Sequence, residues 1–85
     1  MGLAHVEGFL AEAVQDEPEG ESGLSLDELY GLYTSWCLMY RVRLEEPEAL
    51  WKALKTRGID PAHNHLSMRG PAAADYILAS APNII

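Results

Sequence analysis

Hydrophobic residues recur every three or four positions at Leu3, Val6, Phe9, Leu10, Ala13 and Val14, while Glu7 and Glu12 fall elsewhere, so residues 3–15 predict an amphipathic helix. The run from Gln15 to Gly23 then holds no hydrophobic residue, two glycines and a proline, and predicts a solvated acidic loop over 16–24. Ser25-Leu26-Asp27-Glu28 fits a capping box, with Leu24 and Leu29 placed for a hydrophobic staple. From there Leu29, Leu32, Tyr33, Trp36, Cys37 and Tyr40 trace one broad stripe of a second helix over 26–40, and Tyr30 falls off that stripe as a candidate exposed aromatic.

Arg41 to Leu44 is too short for a linker and predicts a tight connection between packed helices. Pro47 suits the first turn of a third helix over 47–57, with Leu50, Trp51 and Leu54 inward and Lys52, Lys55 and Arg57 on the remaining surface. Gly58 is the expected left-handed cap, with Ile59 spaced to meet Leu54 in a Schellman motif. The period then changes. His65 to Arg69 alternates, Gly70-Pro71 breaks the chain, and Tyr76 to Ala79 suits a strand, so residues 64–69 and 75–80 predict a hairpin within 64–80. Asn83-Ile84-Ile85 makes an apolar end that is expected to be tied down.

Three helices followed by a hairpin give a mainly α (α+β) single domain over 1–85. The order is that of a three-helix winged helix-turn-helix with a C-terminal β-hairpin wing. In that architecture the third helix lies in the major groove and the wing touches the flanking backbone. The candidate DNA-binding residues are therefore Lys52, Lys55 and Arg57 on the third helix, Arg69 on the wing, and Arg41 and Arg43 in the turn.

Glu28-Leu29-Tyr30, Tyr33 and Trp36-Cys37, followed after about a dozen residues by Leu50, Ala53-Leu54 and Arg57-Gly58-Ile59, add a second line of argument. This pattern resembles the C-terminal winged-helix domain of phage, plasmid and poxvirus-type primase–helicases. The resemblance covers about residues 6–80 and implies a DNA-binding module of replication or regulation type in a phage or mobile element. It differs from that family in the acidic entry Glu45-Glu46-Pro47-Glu48 and in Gly70 to Ala74, which lack a basic cluster. No glycine-rich loop followed by Lys-Ser/Thr is present in the chain.

Charge sharpens the question of partner. The net charge is -7, which argues against non-specific coating of nucleic acid, yet all six cations lie between positions 41 and 69. Residues 1–40 carry acids and no Lys or Arg. Two faces with different partners are thus expected: DNA at the basic part, or a protein that docks on a winged helix with little or no DNA binding.

The candidate chemistry is sparse. Cys37 as a nucleophile needs a base and a partly exposed setting, whereas its place on the stripe predicts burial. His63-Asn64-His65 offers two histidines without the further ligands that zinc needs. No nucleophile, base and oxyanion donor fall together, so the expectation is no enzyme, no catalytic or metal residues and no cofactor. With no apolar run of membrane-spanning length, no membrane contact is expected; a single cysteine and no signal-like start make the cytoplasm the expected compartment.

Overall fold

The computed structural model describes residues 5–16 and 23–80, the side chain of Ser80 excepted. The expected start of the first helix at Leu3, the acidic segment 17–22 and the apolar end at Asn83 to Ile85 lie outside the described residues. The element order is α1 (His5–Ala13), β1 (Val14–Asp16), α2 (Leu26–Tyr40), α3 (Pro47–Thr56), β2 (Leu66–Met68) and α4 (Gly70–Ser80). The fold is mainly helical, with one two-stranded antiparallel sheet that pairs Val14 with Met68, Gln15 with Ser67 and Asp16 with Leu66.

Local sequence chemistry sets the ends of α2 and α3. The Ser25 hydroxyl accepts from the Glu28 amide at 3.1 Å while the Glu28 carboxylate accepts from the Ser25 amide at 2.9 Å, a complete capping box. Pro47 occupies the first turn of α3, where its missing N–H costs nothing. That helix ends in a full Schellman motif: Ile59 N–H donates to Leu54 C=O and Gly58 N–H to Lys55 C=O, both at 3.0 Å, with Gly58 at φ 78°.

Three side-chain meetings at one constant offset show that α1 and α2 run parallel. His5 meets Tyr33, Gly8 lies on Trp36, and the Glu12 carboxylate lies beside Tyr40. Gly70 lies against the Glu12 carbonyl and Tyr76 covers Gly31, so α4 starts at the far end of this pair and runs back along α2. Val6, Phe9, Leu29, Leu32, Tyr33, Trp36, Leu50 and Leu54 fill the core, joined by Ala72 and Ala73 of α4. Phe9 presents its edge to both Tyr33 and Trp36.

The expected hairpin over 64–80 is not formed. Residues 66–68 are a strand, but they pair with β1, and 75–80 belong to α4. The physical reason lies in Gly70 to Ala74. Gly70 takes a left-handed turn at φ 80°, Pro71 supplies the fixed φ of a first helical residue, and three alanines follow with the highest helix propensity. The Gly-Pro pair therefore starts a helix instead of ending a strand. The first helix also stops earlier than expected, at Ala13, because Val14 to Asp16 enter the sheet.

Candidate nucleic-acid interface

α3 has an inner and an outer face. Leu50, Ala53 and Leu54 are buried, Trp51 is half-buried with its ring edge-on to Tyr30, and Glu48, Lys52 and Lys55 form one exposed stripe at i, i+4 and i+7. Neither lysine has an ion pair within 4 Å among the described residues. Lys55 lies in the last turn, where the helix dipole favours a cation.

The entry to α3 is fixed by two tyrosines of α2. Tyr30 donates its hydroxyl to Glu45 C=O at 2.6 Å, and Tyr33 accepts from Glu45 N–H at 3.2 Å, so both backbone groups of Glu45 are held. The Tyr33 hydroxyl also shares a 2.8 Å hydrogen bond with His5 Nε2, linking α1 to the same point. Burial pushes the Tyr33 phenol well above its ordinary range and also raises that of Tyr30. Tyr30 is thus not the exposed aromatic that its place off the stripe suggested. It is half-buried against Tyr33 and Trp51.

The turn itself begins with Arg41 in the left-handed region, φ 55° and ψ 41°, and Val42 N–H closing on Cys37 C=O at 2.9 Å. Arg43 is solvent-exposed and faces the Glu45 carboxylate at 4.0 Å. α3 approaches α1 across the core and meets α2 through the long Tyr30 and Trp51 side chains.

Besides Arg43, two more of the six candidate cations have partners within the fold. Arg57 donates from Nη1 to Ala53 C=O at 3.2 Å, and its Nη2 stands 3.8 Å from the Glu7 carboxylate, so it ties α3 to α1. Arg69 bonds the end of α1, its backbone N–H to Ala13 C=O at 2.8 Å and its guanidinium to Ala11 C=O. These carbonyls are orphans of a helix C-terminus, and a cation is suited to them. With no wing hairpin, Arg69 serves the β1–β2 junction. Arg41, Arg43, Lys52 and Lys55 are exposed, the first two in the turn before α3 and the lysines on its outer face.

The His63-Asn64-His65 segment is bound by its middle residue. The Asn64 carboxamide accepts from Leu24 N–H and Leu66 N–H and donates to Leu24 C=O and Pro61 C=O, all between 2.9 and 3.1 Å. His63 and His65 are exposed, and His63 Nδ1 lies 3.5 Å from Asp60. The Ala62 N–H, with His63 beside it, holds the Asp60 carboxyl below its usual range. A cleft of about 510 Å³ lies between this segment and Gly23 to Ser25, but no three His, Cys, Asp or Glu side chains among the described residues come together to hold a metal. Cys37 is buried against the Tyr33 hydroxyl, and burial pushes its thiol up, which is the setting of an inert cysteine.

The signal for the Asn64 clasp was an asparagine in a turn-rich loop, a residue type whose side chain readily bonds backbone. No sequence feature points to its distant partner, Leu24. His5 is half-buried over Tyr33 and Trp36. No helix among the described residues is long and apolar enough to cross a membrane. No family model, curated protein or solved structure matches this chain.

Proposed function

We propose that the chain is a non-catalytic nucleic-acid-binding module of the helix-turn-helix type, related to the winged-helix domains at the C-terminus of phage, plasmid and poxvirus-type primase–helicases, that presents α3 to DNA. The observation that carries this reading is the exposed stripe of α3. Among the described residues Lys52 and Lys55 have no ion pair, on a helix whose other face is core and whose entry is held by Tyr30 and Tyr33. A recognition helix needs both properties: side chains free to meet phosphates and base edges, and a rigid frame behind them.

The strand connectivity supports the winged-helix reading. β1 follows the first helix and pairs with β2, which follows the third, and α4 takes the place of a second wing strand. DNA contact then falls to Lys52 and Lys55, with Arg41 and Arg43 in the preceding turn. Four cations bound the electrostatic term, so the logarithm of duplex affinity falls with the logarithm of salt with a slope no steeper than about -3.6.

Fluorescence-anisotropy titration with labelled duplex and single-stranded DNA at several salt concentrations tests this. Salt-sensitive binding that disappears in Lys52→Glu/Lys55→Glu, with the helical circular dichroism unchanged, supports the reading. Absence of binding at low salt, or binding indifferent to that double substitution, overturns it.

A further inference from the structure

One phenol joins three parts of the fold. The hydroxyl of the buried Tyr33 accepts from Glu45 N–H at 3.2 Å in the turn before α3, and it lies 2.8 Å from His5 Nε2 at the start of α1. His5 is half-buried, its ring stacked over Tyr33 and Trp36 at centroid distances of 5.8 and 6.2 Å. Histidine is the side-chain type that ordinarily changes charge between pH 5 and 8, and here one is bonded to the hydroxyl that holds the entry of α3.

A phenol has one hydrogen to give and two lone pairs with which to accept. One lone pair is taken by Glu45 N–H, so the hydroxyl hydrogen is directed either to the His5 imidazole or to the Cys37 sulfur beside it. An imidazole nitrogen accepts better than a thiol, so neutral His5 carries its own hydrogen on Nδ1 and accepts from Tyr33 at Nε2. Proton uptake reverses this bond. Both nitrogens of an imidazolium are donors: Nε2–H then gives to the phenol oxygen, the phenol hydrogen turns to Cys37, and Glu45 N–H shares its acceptor with a charged competitor.

The surrounding charges are engaged elsewhere. None of the described carboxylates lies within 4 Å of His5. On α1, Glu7 is turned to Arg57 of α3 and Glu12 lies beside Tyr40, while the Glu45 carboxylate faces Arg43. α4 brings Asp75, which is exposed, and Tyr76, which covers Gly31.

We propose that His5, the Tyr33 hydroxyl and the Glu45 amide form a pH-sensitive relay, in which protonation of His5 loosens one of the two bonds that hold the entry of α3. Tyr30 keeps its 2.6 Å bond to Glu45 C=O in both states, so the turn relaxes while the fold persists. The relay is internal to the domain and is independent of the nucleic-acid reading.

Proton–nitrogen correlation spectra of the full chain across the range in which histidine titrates provide the test, with the His5 ring followed in the same samples. The Glu45 amide proton is expected to move upfield on acidification, as a weakened hydrogen bond requires, with the midpoint of the His5 ring. The movement should vanish in His5→Gln, which gains no charge, and persist in Glu45→Gln, which removes the adjacent carboxylate and keeps the amide. Three outcomes overturn the inference: a Glu45 amide in the unsubstituted chain that stays still, moves downfield or follows another midpoint; a movement that survives His5→Gln; or one that is lost in Glu45→Gln.

Discussion

Asn64 completes the backbone of Leu24. Its Oδ1 accepts from Leu24 N–H at 2.9 Å and its Nδ2 donates to Leu24 C=O at 3.0 Å, so one side chain does for this residue what a neighbouring strand does in a sheet. The remaining bonds of the same carboxamide reach Pro61 and Leu66. The residue before the α2 cap is thereby fastened to the segment that leads from α3 into β2. Gly23 is part of the arrangement, because a Cβ there would overlap the Asn64 carbonyl.

Removing the carboxamide leaves Leu24 N–H and C=O without their partner, along with Leu66 N–H and Pro61 C=O. Asn64→Ala should therefore cost about 2–4 kcal/mol in urea unfolding, at the upper end for a single loop residue. Gly23→Ala should also destabilise, since the clash is with backbone and cannot be relieved by a rotamer. A loss below about 0.5 kcal/mol for Asn64→Ala would show that the clasp carries little of the fold's stability.

Arg57 and Arg69 are expected to behave unlike the lysines of α3. Arg57→Ala should release the Glu7 and Ala53 contacts, and Arg69→Ala should leave the end of α1 without a cation, each lowering stability by about 1 kcal/mol. Neither should change the slope of DNA affinity against salt. A reduced slope for Arg69→Ala would return that residue to the DNA-contacting set.

Where the sequence was informative, the information was local. The Ser25–Glu28 box and the Leu54–Gly58–Ile59 motif are written within a few residues and involve no distant partner, and both formed as their patterns require. The stripe Leu29, Leu32, Tyr33, Trp36 and Cys37 was legible for the same reason. The misreadings were non-local or came from residues with two meanings. Gly70-Pro71 serves equally as a strand breaker and as a helix start, and the Ala-rich run after it decides for the helix. β2 finds its partner fifty residues away, where no periodicity connects them. Charge alone also does not reveal that Arg57 has a salt bridge to Glu7 or that Arg69 meets the open carbonyls of Ala11 and Ala13.

The packing of α4 on α2 gives a coupling that a hairpin at 75–80 would not. The Tyr76 ring lies where a Cβ on Gly31 would stand. Alanine in a helix interior is favoured over glycine by about 1 kcal/mol, so Gly31→Ala should gain that amount only when the ring is gone. In Tyr76→Ala the substitution should stabilise, whereas in the unsubstituted chain it should be neutral or destabilising. The double-mutant cycle should therefore show a coupling of about 1 kcal/mol or more. Additive effects would separate Tyr76 from Gly31 and with it α4 from its place on α2.

Alkaline pH should unfold the domain through Cys37 and the buried tyrosines. Burial raises the thiol of Cys37 above its ordinary 9.0 and the phenols of Tyr30 and Tyr33 above 10.0, so in the folded state each keeps its proton longer than in the unfolded chain. Below pH 9.0 these groups are neutral in both states, and their contribution to stability is fully present. As pH rises beyond that point the unfolded chain releases protons that the folded one retains, so stability falls, by up to about 1.4 kcal/mol per pH unit for each group. The decline should begin near pH 9.0 in the unsubstituted chain and near pH 10.0 in Cys37→Ala, where only the phenols remain to titrate. Melting temperatures measured across this range separate the two onsets; coincident curves would mean that the thiol ionises as readily in the fold as outside it.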